Sequence, residues 1–152
     1  MKAAAARAPR LEALRLIASV LEGGENLAGP EPVESEDSRD RAFARHLAYG
    51  VLRWLTALDW LAGQLLRRPL RRKDRDVHRL ILIGLFQLWK DGTAPHAAIH
   101  ESAEAARKMG KPWAVAVVNA VLRRFQREQP DWIDRLEILR PDRYSDRKRW
   151  GS

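Results

Sequence analysis

The chain has 152 residues, with 28 Lys and Arg against 20 Asp and Glu, and it has no cysteine. Its length suits one domain that buries roughly two-thirds of the surface its unfolded form exposes. The lack of cysteine excludes disulfides, Cys-ligated zinc, iron–sulfur clusters and a cysteine nucleophile, while a formal net charge of +8 favours a polyanionic partner over an acidic small substrate.

The first helix is predicted to run from about residue 9 to residue 22, where Gly23 and Gly24 end it. Arginines interrupt its apolar stripe, so it lacks the apolar core of a secretory signal. No run approaches the roughly 20 apolar residues of a membrane span, and we expect a cytoplasmic protein without a membrane partner. An acidic linker with two prolines occupies residues 23–37.

Helical periodicity continues through the next segments. The second helix is expected to begin near residue 38, with Gly50 interpreted as a bend. Its predicted buried face comprises Phe43, Leu47, Val51 and Trp54. The third helix should run from about residue 56 to residue 67, because Pro69 ends it. A basic loop then occupies residues 67–73.

The C-terminal half predicts three further helices. Asp74 is expected to cap a fourth helix that is apolar around most of its circumference, which is typical of the centre of a bundle. A fifth helix should run from Pro95 to about residue 109, with Gly110 as its C-terminal stop and Pro112 opening the next helix. Beyond Pro130 we predict a short helix and a flexible basic tail. The domain should therefore cover residues 1–129, with residues 130–152 appended.

Four sequence blocks carry a family resemblance. They are YGVLRW at 49–54, KDRDVHRLILIGLFQL at 73–88, PHAAIHESAEAARKMGKPWA at 95–114 and VNAVLRRF at 118–125. Together they resemble the NusB/RsmB family, and specifically the NusB-like N-terminal domain found in 16S ribosomal RNA cytosine-C5 methyltransferases. The resemblance implies an all-α, NusB-like helical bundle of about six to seven helices.

The resemblance also implies a function. Such a domain binds small-subunit ribosomal RNA and helps to position it for cytosine-C5 methylation by a catalytic domain, in cis or on a partner protein. That catalytic domain uses S-adenosylmethionine and a cysteine. Because this chain has neither cysteine nor a glycine-rich nucleotide-binding turn, we expect no cofactor and no methyltransferase activity of its own. The alternative is a NusB-type transcription antitermination or protein-interaction module.

Basic side chains are the predicted RNA-binding groups, because Arg and Lys contact phosphates directly. Three clusters supply them: Arg7, Arg10 and Arg15; Arg67, Arg68, Arg71, Arg72 and Lys73; and Arg123 and Arg124 with Arg127. The third cluster has another explanation, since cations near a helix C-terminus complement the helix dipole.

Other candidate sites are weaker. His96 and His100 have the spacing of metal ligands on one helix face, but no third ligand accompanies them, so we expect packing or hydrogen bonding and no metal. No catalytic residue is predicted. The tryptophans predicted to lie in the core are Trp54, Trp60, Trp89 and Trp113. Trp132 and Trp150 are predicted to be freer, and Asn119 is expected to find a hydrogen-bond partner.

Overall fold

The protein forms a bundle of helices, and the structure, a computed structural model, describes residues 8–23 and 38–139. The helices are α1 Pro9–Gly23, α2 Ser38–Arg53, α3 Leu55–Leu65, α4 Arg75–Phe86, α5 Pro95–Lys108 and α6 Ala114–Ile138. A 3-10 turn, Arg72–Asp74, precedes α4, and a π-helical segment, Gln87–Asp91, follows it. These ranges contain no strand, which confirms the predicted all-α fold. None of their helices is both long and apolar enough to cross a bilayer.

Helix α4 lies at the centre of the bundle, as its apolar circumference predicts. Its residues from Leu80 to Phe86 are all buried, and it contacts each of the other α-helices. Gly84 allows α6 to approach closely, since a Cβ there would lie 2.5 Å from Leu122 Cδ1. The core is therefore built around one helix that is enclosed by its neighbours.

Gly50 serves a similar packing role and does not bend the chain. It is buried within α2, and a Cβ at this position would lie 2.1 Å from Phe86 Cζ. The predicted bend is wrong because the missing side chain makes room for an aromatic ring from α4.

An ion-pair cluster attaches the C-terminal end of α1 to α4. The Glu22 carboxylate accepts hydrogen bonds from Arg75 Nε at 2.7 Å and from Arg79 Nη1 at 2.8 Å. The bond from Arg75, followed by that from Arg79, lowers the pKa of Glu22. These contacts fix α1 across the first two turns of the central helix.

The joint between α5 and α6 is bonded to the start of α4. Gly110 has φ 88°, the left-handed conformation that ends a helix. Lys111 Nζ then donates to Asp74 Oδ1 and Asp76 Oδ1, both at 2.9 Å, and to the Lys73 carbonyl at 3.3 Å. Asp74 precedes α4 as predicted, but its side chain makes no capping hydrogen bond, because its carboxylate binds Lys111.

The segment beyond Pro130 is helical as predicted, but it continues α6, which bends at Glu128, where φ is −107° and ψ is 16°. Pro130 explains the bend, because a proline ring cannot donate an i→i−4 hydrogen bond and clashes with the preceding turn. Trp132 lies beyond the bend and is 4% exposed, with its ring centroid 6.0 Å from that of Trp60. The prediction that Trp132 is free is therefore wrong, whereas Trp150 lies outside the described residues.

Candidate nucleic-acid interface

A groove of about 1210 Å³ separates the segment between α3 and α4 from the first half of α6. The basic side chains that line this groove, called the basic groove below, are Arg67, Arg68, Arg71, Lys73, Lys111, Arg124 and Arg127. Among the described residues that line it, Asp74 is the single carboxylate, and it already binds Lys111. The groove therefore carries a strong excess of positive charge.

The base of the groove is apolar. Its lining includes Leu65, Leu66, Leu70, Val117, Ala120 and Val121. Leu65 and Val121 belong to the buried core, while Leu66, Leu70 and Val117 are half-buried against it. The groove thus combines exposed cations with a hydrophobic surface that no other described residue covers.

The loop cations are available for binding. Arg67, Arg68, Arg71 and Lys73 are exposed, and within the described ranges their side chains form no hydrogen bond or ion pair. The structure thus brings together four of the five predicted loop residues. The fifth, Arg72, is exposed in the 3-10 turn but is not part of the groove lining.

Arg124 joins the two sides of the groove. Its Nε donates to Glu128 Oε1 at 3.1 Å and its Nη1 to the Leu65 carbonyl at 3.5 Å. The pKa of Glu128 is lowered first by the hydrogen bond from Trp132 Nε1 and also by Arg124. Arg124 is thereby held at the groove, with part of its charge balanced by Glu128.

Comparison with known proteins identifies the family. The model that describes the NusB family matches residues 7–127, which is most of the chain. The chain belongs to the NusB family. This match confirms the resemblance inferred from the four sequence blocks.

Similar proteins carry a common name, ribosomal RNA small subunit methyltransferase B. The protein of that name from Pseudomonas putida strain KT2440 is 44% identical over 131 residues, covering 85% of this chain and 30% of the relative. The Sodalis glossinidius protein is 41% identical over 123 residues, which cover 80% of this chain and 28% of the relative. The protein from Escherichia coli O1:K1 is 40% identical over 126 residues, which cover 82% of this chain and 29% of the relative. This chain thus spans about 30% of the length of the curated relatives it matches.

The α1 cations of this NusB-family domain do not join the basic groove. Arg7 lies outside the described residues. Arg10 is 8% exposed, and its Nη2 and Nε donate to Gln87 Oε1 at 2.8 and 3.2 Å. Burial lowers the pKa of Arg10. Arg15 is exposed and pairs with Glu12 at 2.6 Å. Arg10 therefore has a structural role between α1 and the π-helical segment.

Arg123 faces a different groove from its neighbour Arg124. This second groove, of about 790 Å³, lies between α5 and α6. Arg123 Nε donates to Asn119 Oδ1 at 3.2 Å, which confirms that Asn119 finds a partner. Arg123 and Arg124 lie five and four residues before the bend of α6 at Glu128, so their explanation by a helix C-terminus stays a prediction.

The two histidines of α5 also line the second groove. His96 and His100 are exposed there, close to Glu104, which pairs with Arg107 at 3.4 Å. In residues 8–23 and 38–139, no group of three or more His, Asp or Glu side chains is placed to hold a metal ion.

Trp113 lines the basic groove, and its side chain is 50% exposed. The prediction that it lies in the core is wrong, whereas Trp54, Trp60 and Trp89 do pack against the core. The sequence contains a relevant signal: Trp113 follows Gly110 and Pro112, so it belongs to the turn between two helices and not to a helix face.

Proposed function

We propose that this NusB-family domain binds small-subunit ribosomal RNA and positions it for methylation by a separate catalytic domain. The observation that carries the proposal is the basic groove, where the described lining has seven basic side chains and a single, already paired carboxylate. The name of the relatives, ribosomal RNA small subunit methyltransferase B, supports the choice of RNA. The binding residues would be Arg67, Arg68, Arg71, Lys73, Arg124 and Arg127.

Phosphate neutralisation supplies the affinity in this proposal. Exposed Arg and Lys side chains release condensed counterions when they contact phosphates, so binding weakens as salt rises. Four of the groove cations, on the loop between α3 and α4, have no protein partner in the described residues that would compete with a phosphate. Such contacts orient the RNA and leave sequence discrimination to other groups.

Methyl transfer belongs elsewhere in this proposal. The cysteine-dependent attack on cytosine that the family resemblance implies requires a thiolate, and the whole sequence contains no cysteine. We therefore infer that this chain contributes binding and orientation, and that the catalytic groups lie on another domain or protein.

A salt titration tests RNA binding directly. The affinity of the full chain for a small-subunit ribosomal RNA fragment is measured by fluorescence anisotropy. If about five phosphates are neutralised, the affinity falls roughly 100- to 500-fold between about 50 and 200 mM salt. Replacing Arg67, Arg68 and Arg71 together with Ala should reduce the slope of log affinity against log salt by about two to three.

The control is a second triple variant that removes three charges outside the basic groove: Arg15→Ala, Arg53→Ala and Arg123→Ala. Both variants lower the formal charge by the same amount, so a general charge effect changes them equally. We expect the control to keep the steep salt dependence of the wild-type chain. Equal slopes in the two variants, or no RNA binding by the wild-type chain, would refute the proposal and favour the protein-interaction alternative.

A further inference from the structure

Trp113 is an aromatic side chain that the packing of the domain does not need to bury. It is 50% exposed and lies in the lining of the basic groove, beside the apolar surface that includes Val117 and Leu66. An indole ring offers a large, rigid face with few rotatable bonds. The groove therefore presents a planar apolar group next to free cations.

The backbone around Trp113 is held in place from both sides. Gly110 N–H donates to the Arg107 carbonyl and Lys111 N–H to the Ala106 carbonyl, both at 3.1 Å, which closes the end of α5. The Ala114 N–H then donates to the Lys111 carbonyl at 2.9 Å, which starts α6. Together with the bonds of Lys111 Nζ to the start of α4, these contacts fix the backbone from which the indole projects, so a ligand has to order only the side chain.

The chemistry of the groove distinguishes between two forms of RNA. A duplex presents phosphates and hydroxyls at its surface and keeps its base faces stacked internally, so it would leave the apolar lining without a partner. A single strand can place its phosphates on the arginines and its base faces on aromatic and apolar side chains. The volume of about 1210 Å³ exceeds the roughly 300–1,000 Å³ of a pocket for one small molecule, so it can accept more than one nucleotide.

We infer that Trp113 is a stacking platform for an unpaired base, and that the basic groove takes single-stranded RNA. The inference rests on the proposed function and adds the class of RNA and the residue that selects it. The loop arginines contact the phosphates, Trp113 stacks on one base, and the apolar lining covers its neighbours.

The test compares strands with and without bases. Fluorescence anisotropy is measured with a single-stranded oligoadenylate of about twelve nucleotides, a length within the usual site sizes for such proteins, and with an abasic sugar–phosphate strand of equal length. Wild-type chain should prefer the oligoadenylate. Trp113→Ala should weaken oligoadenylate binding about 5- to 150-fold, the equivalent of one lost base stack. It should leave abasic-strand binding and the salt slope unchanged, because it removes no phosphate contact.

Two further variants separate stacking from structure. Trp113→Phe keeps an aromatic face and should retain most of the affinity. Tyr49→Ala removes an aromatic residue that is 48% exposed on α2 and is not part of the groove lining. This variant should bind both strands with the affinity of the wild-type chain. If Trp113→Ala fails to fold, the wild-type preference between the two strands and the behaviour of Trp113→Phe still decide the question.

The possible failures are distinguishable. Equal, salt-dependent binding of both strands, unaffected by Trp113→Ala, would overturn the stacking role while leaving RNA binding intact. Stronger binding to a blunt RNA duplex than to the single strand would also overturn the stacking role and leave RNA binding intact. Failure of the wild-type chain to bind any of these strands would overturn both proposals and favour a protein as the occupant of the groove.

Discussion

Gly50 offers a sharp test of how α2 and α4 fit together. Its Cα faces the ring of Phe86 so closely that an added Cβ would lie 2.1 Å from Cζ and 2.4 Å from both Cε atoms. Phe86 is 5% exposed, and its ring also contacts His46, with centroids 5.7 Å apart. Gly50→Ala therefore forces either the ring or the two helices to move.

The magnitude follows from two opposing effects. Overpacking a well-packed core costs typically about 1–3 kcal/mol, while Ala in place of Gly inside a helix returns about 0.5–1 kcal/mol. We expect Gly50→Ala to lower the free energy of unfolding by up to about 2.5 kcal/mol, which corresponds to a fall in Tm of up to roughly 10 °C for a chain of this size. Thermal unfolding followed by circular dichroism measures this shift.

Gly63 provides the matched control, because it lies in α3 and a Cβ added to it would meet nothing within 4 Å. The same change, Gly63→Ala, should raise the free energy of unfolding by about 0.5–1 kcal/mol. The double variant Gly50→Ala/Phe86→Leu should lose less unfolding free energy than the sum of the losses of its two single variants, since the smaller Leu side chain makes room for the Cβ. A Gly50→Ala chain at least as stable as Gly63→Ala would refute this reasoning.

Two pH-dependent predictions concern the ion pairs that position α4. Lys111→Met should destabilise the fold by about 1–3 kcal/mol near neutral pH, because the largely buried Asp74 carboxylate loses its partner. The hydrogen bonds that Lys111 donates to Asp76 and Asp74 raise the Lys111 pKa above 10.5, so this stabilisation is complete below that value and disappears as pH rises through the folded-state pKa. Urea unfolding of both chains at neutral and strongly alkaline pH checks this, and a difference in unfolding free energy that does not narrow in alkali contradicts it. Glu22→Gln should also lower Tm at neutral pH, because Arg75 and Arg79 hold the Glu22 pKa below 4.5. The difference in Tm between this variant and the wild-type chain should vanish as pH falls through that depressed pKa. A Glu22→Gln chain with the wild-type Tm at neutral pH would show that the ion pairs of Glu22 do not stabilise the fold.

Local signals in the sequence predicted the helices closely. Gly23 and Gly110 mark the ends of α1 and α5 because glycine stops a helix at low conformational cost. Pro95 begins α5, since its missing N–H would be unpaired in a first turn. These signals act within a few residues, so the sequence alone reveals them.

Contacts between distant residues were not predictable in this way. Lys111 and Asp74 are 37 positions apart, and no local pattern announces their bond. Trp113 was expected in the core and is exposed, whereas Trp132 was expected to be free and is buried. Exposure of each ring depends on which other helices lie against it. The bend at Glu128 turns Trp132 onto Trp60, whereas nothing among the described residues covers Trp113. The basic groove includes most of the predicted cations of one short loop, residues 67–73, and their RNA binding stays a prediction.

The path of α6 bears on where this domain can be cut. The family match ends at residue 127, but Trp132 and Leu136 belong to the same hydrophobic core as α3 and α4. A fragment trimmed at the family boundary would leave Trp60 without its ring partner and expose a contiguous apolar surface, which favours self-association. Expression and crystallisation work on this domain should therefore retain the helix through Ile138, and the limit of a family match is a poor guide to the limit of a folding unit.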